Sequence, residues 1–199
     1  MEYSNKELAK LLGINLAKQR RHAREFLGVD PEAGQSSGKE RMLTLEDAFI
    51  VYLCGLAVNH HSVPLEEAKR MSRILPEWLV SVGYFPIDDY LKNRGKESWS
   101  EIEFDDGTVT GYPVGETNWT LCVTKTAKGY RLIAKGAGKD GHEWLNREKK
   151  ISYVIEHYNL VRLCDDDPGW EERNIHTSFI PVYPTLKEFA EKIGINKKG

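Results

Sequence analysis

With 199 residues, 29% of them charged, and a formal net charge of -2, the chain is long enough for one large or two small domains that each bury a core, and it is not coated in positive charge. Any nucleic-acid contact must therefore come from a local patch. No run approaches the roughly 18 apolar residues of a membrane span, and a capped helix stands at the N-terminus where a secretory leader needs an apolar core, so a cytoplasmic protein without membrane contact is expected.

In chain order, Ser4-Asn5-Lys6-Glu7 has the S-x-x-E form of a capping box, followed by Leu8, Ala9, Leu11 and Leu12 at helical spacing, and Gly13 ends this first helix. Asn15 to Leu27 reads as a second short helix with Lys18, Arg20, Arg21 and Arg24 crowded along its exposed side against Glu25 alone. Two short helices joined by a tight glycine-containing turn, with the positive charge on the second, is the arrangement that places a helix in the major groove. Seen alone, such a cluster is a solvated face; the capped helix before it and the segment after it favour the groove reader. That segment, Gly28 to Met42, is rich in Gly, Ser, Asp and Pro, carries Lys39 and Arg41 near its end, and reads as a hairpin wing.

Thr44 caps a third helix with Leu45, Ala48, Phe49, Tyr52, Leu53 and Leu56 as a broad apolar stripe. Asn59-His60-His61-Ser62 is a break. Pro64 near the first helical position, with Glu66 and Glu67 in the first turn, opens a fourth helix whose Leu65, Ala68, Met71, Ser72 and Leu75 face inward. Pro76 ends it or starts a further short turn through Trp78 and Leu79, which Gly83 stops.

The chain divides near residues 84 to 98, where helical spacing gives way to Thr, Val, Tyr and Trp alternating with polar residues. Glu101 to Phe104 and Thr108 to Tyr112 flank Asp105-Asp106-Gly107, a hairpin signal, and Asn118 to Thr126 pairs with Gly129 to Lys135 across Ala127-Lys128. His142 to Tyr158 has apolar residues at approximately helical intervals, though Ile151 to Ile155 also reads as a strand. Phe179 to Tyr183 is a strand bounded by Pro181 and Pro184, and Thr185 caps a last helix through Leu186, Phe189, Ala190 and Ile193. The expected fold class is α+β: a mostly α winged helix-turn-helix at residues 1–83, a linker at 84–98, and a small β-rich α+β domain at 99–199.

Catalytic and metal signals are weak. Cys54, Cys122 and Cys164 are odd in number and far apart, which fits reduced thiols and gives neither a disulfide framework nor a metal-ligand spacing. His60-His61 near Cys54 lacks a fourth ligand close in sequence. Asp165-Asp166-Asp167 before Pro168-Gly169 lacks the spacing and terminal Glu of a calcium loop and reads as a turn, and Gly136-Ala137-Gly138-Lys139 lacks the full phosphate-loop pattern. Trp99, Trp119, Trp144 and Trp170 read as core. No nucleophile with a base, G-x-S-x-G or H-E-x-x-H occurs, so the expectation is a non-enzyme with no cofactor and no metal.

The order of elements resembles the MerR-like winged helix-turn-helix family over roughly the first 75 to 80 residues. The resemblance rests on Tyr3-Ser4 with Glu7-Leu8-Ala9-Lys10, on Gly13-Ile14, on Arg20 and Arg24, on Arg41 just before Thr44 and Asp47, and on Leu65-Glu66-Glu67-Ala68-Lys69. It implies that the second helix enters the major groove with Arg20, Arg21 and Arg24, while Lys39 and Arg41 in the wing touch the flanking backbone. The chain departs from the family at Gln19, where an apolar residue is usual, at Arg21-His22-Ala23, which replaces an aromatic pair and acidic residue, and at Pro76, Gly83 and Pro86, which interrupt the long dimerisation helix. Any homodimer must then be built elsewhere. The expected function is sequence-specific binding of double-stranded DNA by a transcriptional regulator through Lys18, Arg20, Arg21, Arg24, Lys39 and Arg41, with the C-terminal part sensing a small-molecule effector or holding a protein partner. The alternatives are a protein-interaction or mobile-element accessory module with an architectural helix-turn-helix, and a small-molecule-binding or enzymatic domain with a DNA-binding appendage.

Overall fold

The computed structural model describes residues 1–28, 40–93, 99–103, 109–113, 118–126, 129–137 and 176–195, a mixed α+β arrangement. Strand β1 (Glu2–Ser4) pairs antiparallel with β2 (Met42–Thr44), Tyr3 opposite Leu43, and these two side chains turn inward. Helix α1 (Asn5–Leu12) begins with the expected reciprocal cap: the Glu7 amide donates to Ser4 Oγ at 3.2 Å, and the Ser4 amide donates to the Glu7 carboxylate at 2.8 Å. Gly13, at φ 68°, closes α1 in the left-handed region that glycine enters without steric cost. Two residues later Asn15 caps α2 (Leu16–Leu27). The α2-to-β2 segment expected to form the wing, Lys39 included, lies outside the described residues apart from its ends.

Helix α3 (Leu45–His60) is the centre of the molecule. Thr44 Oγ1 accepts from the Asp47 amide at 3.1 Å, as expected of its cap. The expected stripe is an understatement, because every residue from Ala48 to Gly55 is buried. A helix apolar all round must be covered on all sides. Helices α2 and α4 (Leu65–Ser81) with strands β1 and β2 cover part of it, and α6 (Val182–Ile193), arriving from the far end of the chain, packs on a further side. Phe189 packs on Phe49 and Tyr52 with ring centroids 5.4 and 5.5 Å apart.

Two expected boundaries are displaced. Helix α4 runs unbroken through Pro76 to Ser81, where the sequence offers either an end at Pro76 or the start of a further short turn through Trp78 and Leu79. Proline forfeits one backbone bond, but Leu75, Trp78 and Leu79 on either side of it are buried, and their packing outweighs that loss. Helix α6 starts at Val182 rather than after Thr185, so the strand β7 (His176–Pro181) ends earlier than Tyr183. Pro184 fits the first helical turn, where its missing N–H costs nothing, and Thr185 sits inside the helix with its hydroxyl donating to the Pro181 carbonyl at 2.6 Å.

The expected hairpins are present: β3 (Trp99–Glu103) pairs with β4 (Val109–Pro113), and β5 (Asn118–Thr126) with β6 (Gly129–Ala137), both antiparallel. Strand β7 joins the other edge of β5, giving the order β6-β5-β7. The readings on His142 to Tyr158, Asp165 to Gly169, Trp144, Trp170 and Cys164 lie outside the described residues. Trp119 is core, edge-on to Trp78 at 5.7 Å.

One cluster of buried apolar side chains extends from Tyr3 to Ile193. The stretch 84–98, read from sequence as a linker, carries α5 (Ile87–Asn93) with Tyr84, Ile87 and Tyr90 buried in that cluster, and the Ile87 amide donates to the Glu46 carboxylate at 3.2 Å. Among the described residues no helix is long and apolar enough to cross a membrane.

Candidate nucleic-acid interface

The α2 helix sorts its residues sharply. Asn15 Oδ1 accepts from the Ala17 and Lys18 amides at 2.9 and 3.3 Å, fixing the first turn. Gln19, His22, Ala23 and Phe26 are buried, whereas Lys18, Arg20, Arg21 and Arg24 are exposed. At about 100° per residue, Arg20, Arg24, Ala17 and Arg21 span an arc of about 100° whose centre lies opposite the buried stripe, with Lys18 on its flank. Three guanidiniums thus share the outward face.

The back of α2 is anchored by contacts that leave that face untouched. Lys69 Nζ of α4 meets Glu25 at 2.7 Å, a contact that lowers the Glu25 pKa and raises that of Lys69. Ser72 Oγ donates to the Phe26 carbonyl at 2.8 Å. Arg41 donates to the Gly28 carbonyl at 2.7 Å and to the Leu27 carbonyl at 3.5 Å, so this half-buried guanidinium satisfies the open C-terminal carbonyls of α2. Of the residues singled out in the sequence, then, Lys18, Arg20, Arg21 and Arg24 share one exposed helix, Arg41 sits behind its C-terminal end, and Lys39 lies outside the described residues.

Arg20 lies 3.7 Å from Glu40, whose carboxylate also accepts from the Lys6 amide at 3.1 Å in the first turn of α1. With the Arg20 side chain 59% exposed, that pair is a weak tether. His22 faces the other way, its ring tilted against Phe26 at 5.4 Å and lying over Gly55 of α3. Burial, and then the charges of Lys18 and Arg21, hold its pKa below the ordinary 6.5, so it is neutral at pH 7. Gly55 permits this approach, since a Cβ there would stand 2.8 Å from His22 Nδ1. Gln19 is 1% exposed and neither of its amide atoms has a hydrogen-bond partner among the described residues.

A cleft of about 530 Å³ opens beside the N-terminal end of α2. The turn between α1 and α2, α3 and α6 form its walls. On the α6 side the Tyr52 hydroxyl donates to Glu188 Oε1 at 2.9 Å, while Lys192 Nζ lies 2.6 Å from the same oxygen and donates to the Tyr52 hydroxyl at 3.2 Å. Sequence reasoning missed this group because 136 residues separate Tyr52 from Glu188; the amphipathic pattern of the last helix was the one available signal. Cys54 is fully buried with its thiol pKa pushed up by desolvation, and among the described residues no three His, Cys, Asp or Glu side chains gather as a metal site. No family model, curated protein or solved structure matches this chain.

Proposed function

We propose that the protein binds double-stranded DNA in a sequence-specific manner as a transcriptional regulator, using a MerR-like winged helix-turn-helix whose α2 enters the major groove. The observation that carries this reading is the outward arc of Arg20, Arg21 and Arg24, with Lys18 beside it, on the second helix of a capped helix-turn-helix. Arginine suits both tasks of such a surface, since its planar fork pairs with guanine O6 and N7 and also with phosphate. Arg20 or Arg21 reads a base, and Lys18 with the remaining two arginines takes phosphates. Arg41 supports the interface by fixing the end of α2, and Lys39 in the wing segment contacts the flanking backbone.

Fluorescence anisotropy with random and selected duplexes across salt concentrations tests the reading. If three of these side chains neutralise phosphates, log K against log salt falls with a slope of about -3. Truncating the base reader costs roughly 1 to 3 kcal/mol on the preferred sequence and relaxes preference at one base pair, whereas truncating a phosphate contact weakens all sequences alike. Unchanged duplex affinity in each of Arg20→Ala, Arg21→Ala and Arg24→Ala would reduce the helix to a solvated face and remove the assignment.

A further inference from the structure

The cleft beside the start of α2 has a composition that selects a ligand. Its one carboxylate among the described residues, Glu188, is already charge-paired with Lys192 through Oε1, to which the Tyr52 hydroxyl also donates. The opposite wall presents Lys18, exposed and without an ion-pair partner among the described residues. The same wall is the first turn of α2, which holds no acidic residue and whose dipole is positive at this end. His22 on this wall is the neutral imidazole described above. Two ammonium groups against one satisfied carboxylate leave a local excess of one positive charge. Leu12, Ile14 and Leu56 add apolar surface to the lining. The volume, about 530 Å³, lies in the range of small-molecule sites.

From this juxtaposition we infer that the cleft binds a small organic carboxylate with an apolar body, its carboxylate between Lys18 and Lys192 and its hydrocarbon part against Leu12, Ile14 and Leu56. A cation would meet a lining with a net positive charge, and an uncharged molecule would gain no charge-assisted bond to Lys18. The site also reports to α2. Lys18 cannot give its charge to a bound carboxylate and to a DNA phosphate at once, so the ligand and duplex DNA oppose each other, each weakening the other by the same factor. That coupling rests on the DNA-binding reading; the binding of the carboxylate does not.

Isothermal titration of the full chain, without DNA, with 4-phenylbutyrate and decanoate, each beside its alcohol and its amine, tests the binding. The carboxylates bind and the alcohols and amines bind at least about tenfold more weakly, as expected when a charge-assisted hydrogen bond is lost. Lys18→Gln, an exposed change, weakens the carboxylates about tenfold. Asn59→Trp, which fills the cleft from the exposed end of α3, abolishes binding while circular dichroism stays unchanged. Absence of heat from both carboxylates at millimolar concentration overturns the inference, as does equal binding of the alcohols, of the amines or of inorganic phosphate, or indifference to Lys18→Gln. Anisotropy then adds DNA: a carboxylate that binds a chain with no duplex affinity supports the site and sinks the DNA reading, whereas duplex binding without carboxylate binding does the reverse.

Discussion

Gly55→Ala gives a sharp test of how α2 is seated on α3. In the interior of a helix the substitution normally stabilises by about 1 kcal/mol, because glycine has the larger backbone entropy to lose. Here the new Cβ would stand 2.8 Å from His22 Nδ1 and 3.2 Å from Cε1. The ring is not a flexible tip that can swing aside, since it is buried and lies against Phe26. Overpacking of this kind costs about 1 to 3 kcal/mol, so the net effect is a loss of up to about 2 kcal/mol. Removing the ring removes the conflict. In a His22→Ala background, Gly55→Ala should therefore stabilise by about 1 kcal/mol, and the sign of the same substitution reverses between backgrounds. Urea denaturation of the four proteins, followed by circular dichroism, completes the cycle. Equal stabilisation by Gly55→Ala with and without His22 would mean that the imidazole is not where its contacts with Gly55 put it.

Three further outcomes follow. Because burial holds the folded-state pKa of His22 below the ordinary 6.5, and does the same for His61, the unfolded chain takes up protons first as pH falls; stability is full above about pH 6.5 and declines below it until the folded imidazoles also protonate. Denaturation midpoints measured between about pH 7.5 and 5 should show that decline, with a shallower slope in His22→Gln, and an unchanged slope would place the effect elsewhere. Gln19→Met keeps the length of a side chain whose amide atoms are buried without partners and should stabilise by about 1 to 2 kcal/mol in urea titrations, a destabilisation arguing that the amide is satisfied. Phe189→Ala, on α6, should cost about 3 to 5 kcal/mol and lower one common melting transition for the whole chain; a transition of the α1–α4 region left unmoved would show that it folds without α6.

The elements most legible in the sequence were those fixed by local chemistry. Ser4 with Glu7, Gly13 and Thr44 set helix ends through bonds to residues three or four away, and the Asn118 to Lys135 hairpin followed from alternation around a short connection. What stayed hidden depended on long-range packing. Pro76 reads as an end or as the start of a new short turn because its local cost is certain, while the burial of Trp78 and Leu79 that overrides it involves partners such as Trp119. The site divides along the same line. The basic face of α2 was readable as a helical pattern, but Arg41 looks in sequence like a free cation, and its use as a cap depends on where β2 brings it. Glu188 and Lys192 reach the cleft beside α1 and α2 only after the chain has built a sheet and returned, so no local pattern could announce it.

The two ends of α2 are held differently, and that asymmetry bears on how a groove reader could be controlled. Its C-terminal half is tied down by Lys69, Ser72 and Arg41, each from a segment outside the helix. Its N-terminal turn is capped by Asn15 from the α1–α2 turn, and beyond the cap it borders the cleft. In helix-turn-helix proteins the N-terminal residues of the recognition helix meet the base edges. If α2 is such a helix, its anchored end acts as a fulcrum and keeps the helix in place with or without DNA, which lowers the ordering cost of binding. An occupant of the cleft would then bear on the end where bases are read. Its effect would fall on DNA affinity and base preference, through Lys18 and the first turn, while the packing of Phe26 and Ala23 in the common core stayed unchanged.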